Sequence, residues 1–499
     1  MIKKLVVENY RSIRELKIEL GPMNAFIGPN NAGKSNILSA LDVILGDKYP
    51  TVRSFSEKDF HNYDTSKQIK FEVIFDRHLE CDQRVCGFRL TADLQTCEYI
   101  AIDQEGQPVK YGQSSNPVRV SNDMKNEVAL MYLGLDRQAT QQIRPSQWTL
   151  YGKLIKHIES HIDSTNKEKF KRTLDASFES EIKPDLEKAE EILRNYVRRQ
   201  TGLELMLRFS ITDPIEIIKN VRPYLRERDS SMEFDAEDMG AGTQSALAVA
   251  VAKAYAEIVR KPLVIAMEEP ELYLHPHACR NFYNLLKELS VGGVQVIYTT
   301  HERSFVNIAD FNNIYITRKE NGQTKVFSGR GKDLDLTEPD RFKIISKFDE
   351  AVNEVFFANA VVLVEGATDK IACSLALENL GIRLDEQGIS IIECNSNTAI
   401  QDIAKILEMF NIPFYILIDQ DSGNQRSEQL IQQLVQVFGS DRILLQSPNK
   451  EGMLNIEKLS RAEALIKLPA WFSNNKIPKV YKKLANMINS VSKHDKFRG

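Results

Sequence analysis

Four acids in the second half of the chain have the types and spacing of a cation site. The apolar run Val361-Val362-Leu363-Val364 ends in Glu365-Gly366-Ala367-Thr368-Asp369, a carboxylate followed by a second one four residues on. Further along, Phe414-Tyr415-Ile416-Leu417-Ile418 ends in Asp419-Gln420-Asp421. If the two runs are neighbouring parallel strands, their terminal acids meet at the carboxyl edge of one sheet, where α/β sites form. Asp419 and Asp421, two residues apart, face the same way while the chain stays extended. Four converging carboxylates repel one another unless divalent cations lie among them, and hard oxygen donors suit Mg²⁺ or Mn²⁺.

The first half carries a different chemistry. Gly28-Pro29-Asn30-Asn31-Ala32-Gly33-Lys34-Ser35, followed by Asn36, fits the phosphate-loop pattern G-x-x-x-x-G-K-[ST]. It lies between an apolar strand, Ala25-Phe26-Ile27, and a helix expected over Ser35 to Leu45. Its glycines let backbone N–H groups curl around phosphate at a helix N-terminus, with Lys34 for the β/γ-phosphates of ATP and Ser35 for Mg²⁺. Leu263 to Met267 reads as a buried strand ending in Glu268-Glu269. That is the place of a Walker B pair, with Glu268 assisting the metal and Glu269 polarising the attacking water. Gly240-Ala241-Gly242-Thr243-Gln244 opens a long helix just before that strand, the position of an ABC signature. There Gly242 and Gln244 would reach ATP bound by a second subunit. His301 ends the next strand and would sense the γ-phosphate as a switch histidine.

The elements that must position these groups follow from length and pattern. A chain of 499 residues is too long for one core and divides into several domains. Strands alternate with helices in both halves, which predicts parallel α/β sheets. The expected division is a first ATPase segment over 1–120, a helical insertion and dimerisation arm over 121–225, and a second ATPase segment over 226–345. A metal-binding sheet domain follows over 350–499. The polar segment 318–348, with Gly322, Gly329 and Gly331, supplies the boundary between halves. A net charge of -4 excludes a generally cationic nucleic-acid coat, but residues 441–499 hold 12 Lys/Arg against 5 Asp/Glu, a basic flank beside the acids. The six cysteines show no zinc spacing and receive no role. No apolar run of membrane-spanning length or leader pattern is seen, so a cytoplasmic location is expected.

Asn24 to Asn36 resembles the phosphate loop of SMC- and RecF-like DNA-maintenance ATPases. Glu268-Glu269-Pro270-Glu271-Leu272-Tyr273-Leu274-His275-Pro276 is similar to the Walker B and D-loop of the OLD (overcoming lysogenisation defect) family. The E-G-x-x-D and D-x-D order resembles the Toprim pattern, and OLD proteins join such an ATPase to a C-terminal Toprim domain. The resemblance therefore implies an ABC/SMC-like ATPase fused to a Toprim nuclease that cleaves phosphodiesters with metals, in anti-phage defence. It implies that Glu365 and Asp369 serve one metal and Asp419 and Asp421 the other. It also implies a later acid, Glu451 or Glu457, and a lysine, Lys476 or Lys479. Two departures stand out: Glu268 replaces the usual aspartate, and the signature lacks its serine. A Q-loop is not identifiable, with Gln68 the only candidate. Asn395-Ser396-Asn397 stands where the family has a glycine-rich turn.

The expected partners are DNA and a second copy of the chain, because such ATPases sandwich ATP between two subunits. A defence-system protein or RNA is a further possible partner. The alternative is a DNA-clamping SMC/RecF-like repair ATPase with an inactive Toprim domain. A topoisomerase or primase is disfavoured, since no tyrosine nucleophile stands beside the acids and no zinc ribbon is visible.

Overall fold

The computed structural model describes residues 1–112, 114–135, 142–144, 146, 149–201, 221–226, 231–306, 308–330, 352–394, 397–421 and 425–496. It separates into two units, 136–261 and the remainder of the chain.

The larger unit holds three sheets. Residues 2–102 contribute an antiparallel sheet in the order Ile13–Glu19, Ile2–Tyr10, Ile69–Phe75, Gly87–Ala92, Cys97–Ile102. Alternation such as Leu16 and Ile18 inward with Glu15, Lys17 and Glu19 outward fits a sheet with one wet face. The second sheet runs Gln323–Ser328, Ile314–Glu320, Met23–Ile27, Gln295–Thr300, Leu263–Glu268, Ala129–Leu133, and is parallel except at its first pair. Its central strands are buried along their whole length because both faces are covered. The helix Lys34–Leu45 lies between these sheets and buries Ile37, Leu38, Leu41, Ile44 and Leu45, a stripe at helical spacing.

Ala129–Leu133 lies inside the segment expected as helical insertion. Its run Ala-Leu-Met-Tyr-Leu is too apolar for an exposed arm and pairs in register with Leu263–Met267. The smaller unit instead runs over 136–261 and includes the signature helix Ala241–Val259. That helix packs on Leu150–Ser160. Helices Ser164–Ser177 and Lys183–Thr201 continue the unit, and the former buries none of its side chains.

The third sheet is all parallel, in the order Ile389–Glu393, Ala360–Val364, Phe414–Asp419, Ile443–Gln446. Ala367–Asn379, Arg461–Asn474 and Lys479–Lys496 cover one face through Ala372, Ala376, Leu468, Phe472, Tyr481 and Leu484. The other face shares a core with the ATPase: Ile27, Phe311, Ile314 and Ile316 pack with Phe356, Ile403, Leu407 and Phe410. Each such buried side chain stabilises by about 1.5–3 kcal/mol. Polar contacts reinforce the junction. Arg318 donates to the carbonyls of Asn411 and Ala358 at 3.1 and 3.3 Å, and Asn353 Nδ2 donates to Val306 O at 3.0 Å. Most of the expected boundary segment 318–348 lies outside the described residues, as does the greater part of the Asn395-Ser396-Asn397 turn.

Candidate functional site

The phosphate loop has the backbone that its sequence demands. Gly28 and Gly33 adopt φ of 150° and 100°, and a Cβ on either would meet Thr317 O or Thr324 Oγ1 at 2.0 Å. Lys34 is buried, and its ammonium donates to the carbonyls of Gly28 and Pro29 at 2.9 Å and lies 2.9 Å from His301 Nε2. Burial lowers the Lys34 pKa to about 8 against the opposing pull of Glu269, Glu271 and Glu268. Burial, then Lys34, lowers that of His301. Ser35 Oγ donates to Glu268 Oε2 at 2.5 Å, which places hydroxyl and carboxylate where a Mg²⁺ of ATP would need them. The other Glu268 oxygen accepts from Tyr132 on the neighbouring strand, and burial together with Glu268 keeps that phenol protonated.

Glu269 follows the strand with a φ of 45°, its N–H donating to Thr299 O at 2.9 Å and its carboxylate 3.7 Å from His301 Nε2. Glu271 Oε1 accepts from Thr300 Oγ1 and His301 N, both at 2.8 Å, and so fixes the histidine from behind. Sequence reasoning did not single out Tyr132 or Glu271 for a role, because both act through pairing across strands rather than through a motif.

Three residues expected at the nucleotide are engaged elsewhere. Asn36 Nδ2 donates to Ser12 Oγ at 2.7 Å, which ties the loop to the strand turn at Ser12. Gln244 Nε2 donates to the carbonyls of Glu237 and Met239, both at 2.8 Å, and closes its own loop. Gln68 donates to Asp93 at 3.0 Å. Gly242 lies in the first turn of the signature helix, whose N-cap, Gly240, has no side chain to satisfy the first N–H groups.

The second cluster forms at the carboxyl edge of the parallel sheet. Glu365 follows Val364, Asp369 is buried in the first turn of Ala367–Asn379, and Asp419 ends Phe414–Asp419. Asp421 follows with a φ of 42°, its N–H donating to Pro448 O at 2.9 Å. Asp419 Oδ1 accepts from the backbone N–H of Lys450 at 2.8 Å. Burial first, then Asp369, pushes the Asp419 pKa up to about 7. Burial, then Asp369 and Asp421, raises that of Glu365. Glu451 adds to the field at Asp419, whereas Glu457 is exposed. Lys476 and Lys479 are exposed and form no ion pair with these acids among the described residues. The ammonium inside the cluster belongs to Lys450, 3.1 Å from Asp369 Oδ1 and 3.5 Å from Glu451 Oε1.

These mutually repelling carboxylates, with Asp369 buried, Glu365, Asp419 and Glu451 half-buried and Asp421 exposed, are of the type that could serve a hard divalent cation. Among the described residues, however, no three His, Cys, Asp or Glu side chains close into a ready cage. A raised carboxyl pKa has a directional consequence. Folding favours protonated Asp419, so stability present at low pH is lost as pH climbs from the ordinary carboxylate range through about 7. Mn²⁺ competes with that proton. Its affinity should therefore strengthen by up to about tenfold per pH unit below 7 and level off above, as titration calorimetry at several pH values will read.

Fold and sites together define a P-loop ATPase joined to a Toprim domain. The description "AAA ATPase domain" matches residues 1–130 and 94–306, and "Overcoming lysogenization defect protein-like, TOPRIM domain" matches 356–421. The chain is 29% identical to the OLD nuclease of Thermus scotoductus over 490 residues, covering 91% of this chain and 92% of that one. It is 24% identical to the Old nuclease of Escherichia phage P2, over 83% and 76% of the two chains. It is 22% identical to the endonuclease GajA of Bacillus cereus, over 91% and 80%. The chain belongs to the AAA ATPase domain family, whose model spans more than half of it, and it is similar to OLD nucleases along most of its length.

Proposed function

We propose that this protein is an ATP-hydrolysing, divalent-metal-dependent DNA endonuclease or nickase acting in anti-phage defence. The observation that carries the reading is the gathering of Glu365, Asp369, Asp419, Asp421 and Glu451 at one edge of a sheet that shares a continuous core with the phosphate-loop ATPase. Its relatives bear the names nuclease and endonuclease, in keeping with that chemistry.

Glu365, Asp369, Asp419, Asp421 and Glu451 would hold Mg²⁺ or Mn²⁺. When bound, such ions supply the charge that activates water and stabilises the leaving 3′ oxygen. The chain orients the carboxylates: Lys450 N–H fixes Asp419, and Gln446, held by Tyr481, donates to Asp369 at 3.2 Å. Lys479, Lys482 and Lys483 share a groove of Lys479–Lys496, and with Lys476 they suit a phosphate backbone. At the other site Lys34 and Ser35 take the phosphates and Mg²⁺, Glu269 orients water, and His301 reports the γ-phosphate. The exposed N-terminus of the signature helix fits ATP held by a second copy, which makes a homodimer or larger homo-oligomer the working form.

The direct test is incubation with supercoiled plasmid. Nicked or linear product should form with Mn²⁺ or Mg²⁺ and vanish with EDTA. Unchanged cutting in EDTA would refute a metal-dependent nuclease.

A further inference from the structure

The magnesium end of the nucleotide site contains one polar group that no motif supplies. Glu268 ends the strand Leu263–Glu268 and is buried, with both carboxylate oxygens engaged. Oε2 accepts at 2.5 Å from the hydroxyl of Ser35, in the first turn of the helix Lys34–Leu45. Oε1 accepts from the phenol of Tyr132, on the strand Ala129–Leu133. The carboxylate is thus held from a helix on one side and from a neighbouring strand on the other.

Strand register explains why this tyrosine reaches it. Ala129–Leu133 runs parallel to Leu263–Glu268 with Tyr132 opposite Ala266. Ala266 and Glu268 are two apart and share a face, and Tyr132 stands on the same one. The small side chain of Ala266 leaves the ring free to extend along the strand to the carboxylate two positions on, a diagonal that an aromatic side chain spans. The ring packs against the core that includes Ala266, Leu130 and the buried face of the helix Lys34–Leu45. An ionised carboxylate only accepts, so the phenol is the donor, and a hydrogen bond to a charged acceptor is about twice as strong as a neutral one. Glutamate also has one more rotatable bond than the aspartate usual at this place, so more is needed to fix it. With Oε1 tied to the phenol, Oε2 is left turned toward Ser35.

We propose that Tyr132 is a positioning residue for the magnesium of ATP: its phenol fixes Glu268 in the orientation in which the second oxygen faces Ser35, so that metal and nucleotide are taken up together. Tyr132 acts through Glu268 and not on the phosphates. The inference rests on the reading of Ser35 and Glu268 as the Mg²⁺ end of the ATP site, and it adds a residue from outside the phosphate loop and the Walker B strand.

The test is titration calorimetry of the full chain with the non-hydrolysable ATP analogue AMP-PNP, once in EDTA and once in Mg²⁺. The tightening between the two is the metal step. Tyr132→Phe removes one oxygen and keeps the ring. It should bind AMP-PNP in EDTA within about twofold of the wild type and lose about tenfold or more of the metal step. A metal step as large in Tyr132→Phe as in the wild type would overturn the inference. So would equal weakening in EDTA and in Mg²⁺, the mark of a ring that merely shapes the pocket. If Mg²⁺ fails to tighten AMP-PNP in the wild type, the reading of Ser35 and Glu268 falls, and the inference with it. Thermal unfolding checks each variant first. Should Tyr132→Phe not fold, Tyr132→Met, whose flexible side chain fills the space without a donor, carries the same comparison.

Discussion

Asp419→Ala should abolish plasmid cleavage, by roughly a thousandfold or more, while ATP hydrolysis should continue at the wild-type rate. Asp419 ends the strand Phe414–Asp419, and its carboxylate is costly to charge where it stands, with a pKa near 7 set by burial and Asp369. On the reading proposed above the carboxylate serves a cation, so its removal should strip the metal site without stripping the fold. The variant should even melt no lower than wild type in EDTA at pH 8, since a buried charge has gone. Asp419→Asn is the sharper companion. It keeps an acceptor for the Lys450 N–H and removes only the charge, yet it too should lose cleavage. Near-normal cutting by Asp419→Asn would show that the carboxylate is not a metal ligand. It would also favour the alternative in which the Toprim domain is inert and the protein clamps DNA through its ATPase. Gel assays on supercoiled DNA, paired with phosphate release, separate the two.

Both site scaffolds were legible in the sequence because their groups are tied by short stretches of chain. Gly28 to Ser35 spans one strand end, loop and helix start, and Glu365 to Asp369 spans another. Spacing alone fixes such geometry. Where position depends on distant packing, spacing is mute. Glu451 and Glu457 were equivalent acids on a polar stretch until the strand Ile443–Gln446 and the turn after it brought the first toward Asp419. Lys450 received no role from the sequence, since nothing local announces that a lysine is buried. Lys476 and Lys479 form no ion pair with the acids among the described residues, whereas Lys450 lies 3.1 Å from Asp369 and 3.5 Å from Glu451. Gln244 looked free to meet a nucleotide because its motif position says nothing of the Glu237 and Met239 carbonyls that its amide satisfies. The shared core was hidden for a related reason. Ile314, Ile316, Ile403 and Phe410 each look like ordinary interior residues of their own domain, and only the fold reveals that they pack together.

Lys34→Ala should lower ATP hydrolysis by about a thousandfold and weaken ATP binding, because this one ammonium carries the positive charge of the phosphate loop. It is held by two carbonyls and the His301 imidazole, and burial depresses its pKa to about 8. A phosphate oxygen offers a better acceptor than either, so the lysine is poised to exchange partners on binding. Glu269→Gln should part company with it. That carboxylate lies 3.7 Å from His301 and in the field of Lys34, and is placed to polarise water, so its amide should bind ATP at near wild-type affinity yet hydrolyse it at least about a hundredfold more slowly. If the working form is a dimer closed over ATP, Glu269→Gln with ATP should elute from a sizing column as the larger species, and Lys34→Ala should not. Equal ATP affinity for Lys34→Ala and wild type in titration calorimetry would remove Lys34 from the nucleotide site. Loss of ATP binding in Glu269→Gln would assign that residue to holding the nucleotide rather than to its hydrolysis.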